Sequence, residues 1–290
     1  MRILLIVICC MIAVSIISSI VDNNRIVVRS YNVSDSRING GLRAVFLSDL
    51  HNNSFGRDNR RLIDKVKDCK PDVILVGGDM ITAHVGSDTG RAVALMKELA
   101  AMEVPVIYGI GNHEYRMYRY TEDYKDAYDR YAKALRECGV IILQNESFTL
   151  DNANIQIQGL MLDRKYYKRF EPIMLSDEEL RKYTGDRKPE QYRVMLAHNP
   201  EYFDAYAQEA DLVLSGHVHG GIMRLPLLGG VVSTRLTLFP KYDGGFFTNG
   251  SSKMIVSRGL GSHTIPLRIF NPAELVVINL CKEQNIERKN

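Results

Sequence analysis

Five short apolar runs in this chain each stop at a side chain able to bind a metal, and that pattern leaves few folds open. Leu42 to Leu47 runs into Ser48-Asp49-Leu50-His51, Val73 to Val76 into Gly77-Gly78-Asp79, and Val104 to Ile110 into Gly111-Asn112-His113-Glu114. Val194 to Ala197 ends at His198-Asn199, and Leu212 to Leu214 at Ser215-Gly216-His217-Val218-His219. Unbroken apolar runs of this length suit strands covered on both faces. Helical patterns lie between them: Leu62, Ile63 and Val66 ahead of Pro71; Ala92 to Leu99; Tyr124, Tyr128, Tyr131 and Leu135 up to Gly139; and a short segment from the cap Asn199-Pro200 to Tyr206. Strand alternating with helix predicts a layered α/β fold. The last third differs in texture. Phe246 to Thr248, Asn249-Gly250 and Met254 to Ser257 read as a hairpin, and with Leu275 to Leu280 they predict a second, more antiparallel sheet packed on the first. The expected architecture is a two-sheet β-sandwich flanked by helices.

In an open α/β sheet the carboxyl ends of the strands face the ligand crevice, so the five polar endings converge there. Asp49-x-His51 and His217-x-His219 are spaced to put both side chains on one side of an extended segment. Imidazole nitrogens with carboxylate and carboxamide oxygens suit Mn, Fe, Zn, Co or Ni, and the absence of Cys disfavours a closed structural zinc site. Taken singly, each motif has an ordinary reading: a polar turn at Asp49-x-His51 or Gly78-Asp79, a helix cap at Asn112, a hydrogen-bonded structural His198. Together they use five of the seven His in the chain, each after a buried run, which ordinary turns do not explain. Of the five Cys, Cys9 and Cys10 sit in an apolar run and Cys69, Cys138 and Cys281 are scattered, which makes no disulfide framework.

Asp49-x-His51, Gly78-Asp79, Gly111-Asn112-His113-Glu114, His198 and Gly216-His217-x-His219, with steps of 30 and 33 residues from Asp49 to Asp79 and from Asp79 to Asn112, resemble the calcineurin-like metallophosphoesterases. The similarity spans about residues 40 to 280. It implies two divalent ions, one held by Asp49, His51 and His219, the other by Asn112, His198 and His217, with Asp79 bridging. His113 matches the family's non-ligand histidine, which contacts phosphate and is the candidate to protonate the leaving oxygen. Two cations about 3.5 to 4 Å apart hold a hydroxide between them and clamp phosphoryl oxygens for in-line attack, which is the chemistry phosphoester hydrolysis requires. The tail Val256-Ser257-Arg258-Gly259-Leu260-Gly261, with Arg268 and Pro272-Ala273-Glu274, resembles the membrane-associated bacterial branch of that family.

Ile3 to Val21 carries no charge, and its 19 residues as a helix reach roughly 28 Å, close to the ~30 Å of a bilayer core. Residues 1–24 are therefore expected to be a single-pass membrane anchor, 25–40 a juxtamembrane lead-in and 41–290 the phosphoesterase domain, lying outside the cytoplasm. A cleaved signal and secretion is the alternative. Lys and Arg total 37 against 34 Asp and Glu, a net +3, which argues against nucleic acid as a partner, although a nuclease is the nearest enzymatic rival. A metal-free or catalytically inactive scaffold is the rival outside enzymology. Arg258 and Arg224 are candidates for a phosphate oxygen, and Tyr115, leading Arg116-Met117-Tyr118-Arg119-Tyr120, for a wall of the cleft. Arg164-Lys165-Tyr166-Tyr167-Lys168-Arg169 has a composition suited to lipid phosphate, which with the anchor motivates a phospholipid or lipid-linked pyrophosphate substrate. Monoester or diester preference and oligomeric state stay open.

Overall fold

The computed structural model describes residues 1–168, 173–225, 227–233, 237–262 and 266–283. A leading helix, α1 (Arg2–Asn24), is followed by strands β1 (Ile26–Asp35), β2 (Gly41–Leu47), β3 (Val73–Val76), β4 (Val106–Gly109) and β5 (Ile141–Leu143). These five, with β14 (Ala273–Lys282), form one sheet in the order β1-β14-β2-β3-β4-β5. The second sheet has the order β12-β13-β9-β8-β7-β6, from β6 (Ser147–Leu150), β7 (Ile155–Leu160), β8 (Tyr192–Ala197), β9 (Leu212–Ser215), β12 (Gly245–Asn249) and β13 (Ser252–Val256). Between β9 and β12, β10 (Arg224–Leu225) and β11 (Gly229–Gly230) make a small separate hairpin. The helices are α2 (Arg60–Asp68), α3 (Gly90–Ala100), α4 (Asn112–Arg119), α5 (Thr121–Tyr124), α6 (Ala127–Glu137), α7 (Asp177–Arg181) and α8 (Phe203–Glu209).

Strand periodicity sorts the apolar side chains into three layers. Ala44, Phe46, Val73 and Leu75 point between the sheets and meet Ile155, Val194, Leu212 and Ile255. Their neighbours Val45, Leu47, Ile74 and Val76 point the other way, against Leu62 and Val66 of α2, Leu95 and Leu99 of α3 and Leu135 of α6. On the far side Met195, Ala197, Val213 and Val256 pack on Leu180 of α7 and on Phe203 and Tyr206 of α8. Both faces of the central strands are thus covered, which is why they read as unbroken apolar runs. Truncating a filler such as Phe46, fully buried between the sheets, costs about 3–5 kcal/mol by loss of transfer energy plus the cavity left.

Two expectations are corrected. Leu275 to Leu280 does not join the second sheet: it lies in β14, antiparallel to β2 and parallel to β1. Its alternate residues serve two layers, Leu275 and Val277 facing the helices and Val276 and Ile278 the sandwich interior, a position open only in the first sheet beside β2. The second sheet is mainly parallel, β13-β9-β8-β7, with antiparallel pairs only at its edges, β12 with β13 and β6 with β7. The Asn249-Gly250 hairpin forms as expected, with Asn249 opposite Ser252. Residues 26–35, within the lead-in, supply β1, paired along its whole length with β14.

Candidate metal centre

β2, β3 and β4 run parallel, as do β8 and β9, so the polar endings of all five open onto one crevice. The carboxylate and imidazole atoms there fall into three overlapping clusters, each with its ligand atoms within 4.8 Å of one another: Asp49, His51 and His219; His51, Asp79 and His113; Asp79, His198 and His217. His219 Nε2 lies 3.0 Å from His51 Nε2 and 3.5 Å from Asp49 Oδ1. Asp79 Oδ2 lies 3.1 Å from His198 Nε2, 3.8 Å from His51 Nε2 and 4.0 Å from His113 Nε2. Asp79 therefore stands between the two outer clusters.

The local backbone is built for this convergence. Asp49, His51, Asp79, His217 and His219 all have left-handed φ, between 49° and 71°, so the Asp49-x-His51 and His217-x-His219 pairs are carried on tight turns and not on the extended segments their spacing suggests. Single residues in that region cost on the order of 1–3 kcal/mol each, and such strain collects at functional sites. Gly216 allows the His217-x-His219 turn to close on β2, because a Cβ there would run into the Ser48 hydroxyl and the Asp49 carboxylate. At Gly78 (φ 88°) a Cβ would strike the backbone of Gly111, so the turns bearing Asp79 and Asn112 pack main chain to main chain.

Hydrogen bonds behind the ligands fix which ring atoms face the centre. His198 Nδ1 donates to Gly77 O at 2.8 Å and His219 Nδ1 to Gly261 O at 3.2 Å, which presents the Nε2 lone pair of each to the cluster. Thr82 Oγ1 contacts His51 Nδ1 at 3.3 Å. Ser48 Oγ and the His217 N–H both bond the Asp49 carboxylate, at 2.5 and 3.0 Å. His113 N–H donates to Asp79 Oδ1 at 2.8 Å, placing that carboxylate at the amino end of α4, where the helix dipole favours an anion. The same α4 turn holds Glu114, fully buried, which accepts from Asp79 N, Met80 N, Gly111 N and Tyr108 Oη at 2.8 to 3.1 Å.

The electrostatics call for cations. Burial alone would raise Asp79 and lower His198, yet His198 above all holds Asp79 well below the ordinary carboxylate range, while Asp79 and Asp49 push His198 up to about 10. Burial, then Asp79, pushes Glu114 up to about 7. Asp79 and Asp49 thus draw a proton onto His198, an imidazole that a metal ion would need neutral. Among the described residues Asn112 Oδ1 is buried with no hydrogen-bond partner, a costly condition that a cation relieves. Carboxylate, carboxamide and imidazole groups with one orphaned amide oxygen fit a divalent metal.

The remaining candidates are engaged by partners outside the three clusters. Arg258 pairs with Glu274 (3.5 Å), and burial holds its guanidinium below the usual range. Arg224 bonds Gly220 O and Asp243 O, and pairs with the Asp243 carboxylate at 3.1 Å. Tyr115 is buried in α4, its hydroxyl on Asp163 at 2.8 Å and its phenol pushed up to about 12 by burial and by Asp163. Of the basic segment, Arg169 lies outside the described residues. Tyr167, however, stands edge-on to His217 with ring centroids 5.4 Å apart and 6.4 Å from His198. Sequence reasoning missed its proximity, as it missed Ser48, Thr82 and Glu114; only adjacency to Asp49 and His113 marked Ser48 and Glu114.

Comparison with known proteins agrees with this geometry. Residues 42–221 match the model of the family described as calcineurin-like phosphoesterase. The chain is 25% identical over 265 residues to the uncharacterized protein YpbG of Bacillus subtilis, covering 89% of this chain and 88% of that one. An uncharacterized metallophosphoesterase of Aquifex aeolicus is 26% identical over 266 residues, 89% of this chain and 93% of its own length. Phosphodiesterase YaeI of Escherichia coli is 25% identical over 228 residues, 76% of this chain and 75% of its own.

Proposed function

Given that the chain belongs to the calcineurin-like phosphoesterases, and so is a phosphoester hydrolase that uses divalent metal, we propose that it cleaves a phosphodiester presented at a membrane surface. Asp49, His51 and His219 would hold one ion, Asn112, His198 and His217 a second, and Asp79 both. The observation that carries this reading is the convergence of the six carboxylate and imidazole side chains of this set from four strand ends, with Asp79 between the two outer clusters; the buried, unpartnered Oδ1 of Asn112 supports its inclusion. When bound, such a pair lowers the pKa of water toward ~7 and neutralises charge on phosphoryl oxygens. The likeness to a relative named a phosphodiesterase supports the diester over the monoester or pyrophosphate.

His113 would face the leaving oxygen. The Ala83 N–H donates to its Nδ1 at 2.8 Å, which supports a neutral ring carrying its proton on Nε2, the atom nearest Asp79. An imidazolium in this pose would set N–H against N–H. His113 therefore serves as a hydrogen-bond donor to the oxygen on which charge builds, and full proton transfer requires release of Ala83. Tyr167, against His217, is placed to border the substrate.

Membrane attachment is the second half of the proposal. α1 has mean hydropathy 3.0 over its best 18 residues and exposes apolar side chains along its length. Hydrogen bonds from its last two turns into the folded domain, at Ser18, Ser19, Asp22 and Asn23, support retention of the helix as an anchor over cleavage; a domain outside the cytoplasm and membership of the membrane-associated branch complete the proposal. The test compares hydrolysis of bis-p-nitrophenyl phosphate, a vesicle-borne phospholipid diester and single-stranded DNA by the full chain. Both diesters turned over and DNA left intact is the expected result; DNA as the better substrate would overturn the reading.

A further inference from the structure

The polar residues that interrupt the end of α1 do not face solvent. Ser18 Oγ accepts from Phe270 N (2.9 Å) and donates to Asp22 Oδ2 (3.1 Å), which accepts from Asn271 N (2.8 Å). Ser19 Oγ accepts from Arg268 N (3.3 Å), and Asn23 Nδ2 donates to Pro266 O (3.0 Å). Ser19 and Asp22 are buried by these contacts. The segment 266–271 is therefore clamped to the helix as far back as Ser18, about 4.5 Å below Val21 at ~1.5 Å per residue. If Ile3–Val21 crosses the hydrocarbon, this segment lies at the depth of the last apolar turn. Backbone groups at that depth need partners inside the protein, and the side chains of Ser18, Ser19, Asp22 and Asn23 provide them.

The side chains that this segment shows are apolar. Phe270 is 52% exposed and Leu267 36%. Main-chain bonds tie Ile269 to Ile222 and Arg224, Ile222 to Val232, Met223 to Val231, and Val231 to Phe239. This mat bears four more exposed apolar residues, Leu227, Leu228, Leu238 and Phe239. Leu227, Phe239 and Phe270 have φ of 68°, 48° and 52°. Bulky non-Gly residues in that region are outliers, and here the strain presents apolar side chains outward. On another side of the α1 end, Arg25, Arg61 and Lys65 line a 340 Å³ cavity with Val21 and Asn24, cations set where anionic headgroups would lie.

We propose that Leu267 and Phe270, with the adjoining Leu227, Leu228, Leu238 and Phe239, form a collar that enters the bilayer interface beside α1 and seats the metal centre over the membrane. The collar is wired to that centre. Asn271 Nδ2 donates to His219 O (2.7 Å), and Arg268 bonds Gly261 O, the acceptor of His219 Nδ1. The partner is a lipid surface with anionic headgroups, because the collar is continuous with a helix whose exposed face is apolar throughout. The inference deepens the membrane-surface reading and rests on α1 being a span.

The chain contains no Trp, so single-Trp variants report depth without background. The full chain is placed in phosphatidylcholine vesicles containing phosphatidylglycerol, with lipids brominated near the headgroup or deep in the chain. Phe270→Trp and Phe239→Trp are expected to emit blue-shifted and to lose roughly half or more of their intensity to the shallow quencher, as an interfacial side chain does. Ile12→Trp should respond to the deep quencher, and Phe246→Trp, on β12, to neither. Leu267→Trp replaces Phe270→Trp should that variant not fold. Water-like, unquenched emission at the collar with Ile12→Trp quenched would overturn the collar and leave the anchor standing. Blue-shifted emission blind to every lipid quencher would mean a protein partner and also overturn it. No quenching at Ile12→Trp would sink the span and the collar together, while diester hydrolysis in the same samples reports separately on the hydrolase.

Discussion

Glu114 is neither a ligand nor near enough to solvent to meet substrate, yet it ties the Asp79 turn to the helix that carries Asn112 and His113. Its carboxylate accepts three backbone N–H groups and the Tyr108 hydroxyl. Glu114→Gln keeps the shape and replaces one acceptor oxygen by a donor. If the new amide nitrogen takes the Oε2 position, it faces Asp79 N–H and Gly111 N–H and strands two buried donors. In the Oε1 position it strands only Met80 N–H, since the Tyr108 hydroxyl can turn to accept. The cheaper arrangement loses one buried donor at ~1–3 kcal/mol and weakens the remaining bonds from charge-assisted to neutral, about 2–4 kcal/mol in all. For a domain of this size that lowers Tm by roughly 5–15 °C. The assay is thermal melting of the metal-stripped full chain in detergent at about pH 8, above the value near 7 to which burial raises Glu114, so that the carboxylate is the species replaced. A Tm unchanged within about a degree would refute the claim that these bonds hold the turn.

Gly216→Ala should lower metal content, because the added methyl meets the Asp49 carboxylate and Ser48 hydroxyl; ion counting by mass spectrometry checks it. Asp79→Asn should lose metal, while His113→Ala should keep it and lose about 10²- to 10⁴-fold in turnover; normal turnover would remove His113 from the chemistry. The metal-stripped protein should lose stability as pH rises. His198 has its folded value raised from 6.5 to about 10, so its contribution is complete below 6.5 and disappears as pH passes through 10. In the loaded protein a cation replaces that proton, and melting curves from pH 6.5 to 10 should be flat by comparison.

The central strands and the side chains that gather at the candidate centre were legible in the sequence for the same reason. A strand covered on both faces allows no polar residue until it ends, so Asp49, Asp79, Asn112, His198 and His217 stand out at once. What stayed hidden depends on partners distant in the chain. β1 pairs with β14 nearly the full length of the chain away, and its alternating composition resembles a linker. Leu275 to Leu280 has the composition of either sheet, and only the open side of β2 decides between them. Arg268 reads as a surface cation but is buried among the carbonyls of Arg258, Gly259, Gly261 and Asn271. Arg258, a candidate for a phosphate oxygen, pairs with Glu274, a partner 16 residues on that its own motif does not reveal. Ser18 and Ser19, polar positions in an otherwise apolar helix, accept from the main chain of Phe270 and Arg268 and attach α1 to the domain.

The central claim is a two-ion hydrolytic centre built by Asp49, His51, Asp79, Asn112, His198, His217 and His219. The measurement that tests it most directly is titration of the metal-stripped full chain with Mn, following bound metal and bis-p-nitrophenyl phosphate hydrolysis together. The expected result is turnover that rises with occupancy and saturates at about two ions per chain. Saturation with no turnover for any of Mn, Fe, Zn, Co or Ni, or full turnover in the stripped protein, would contradict it.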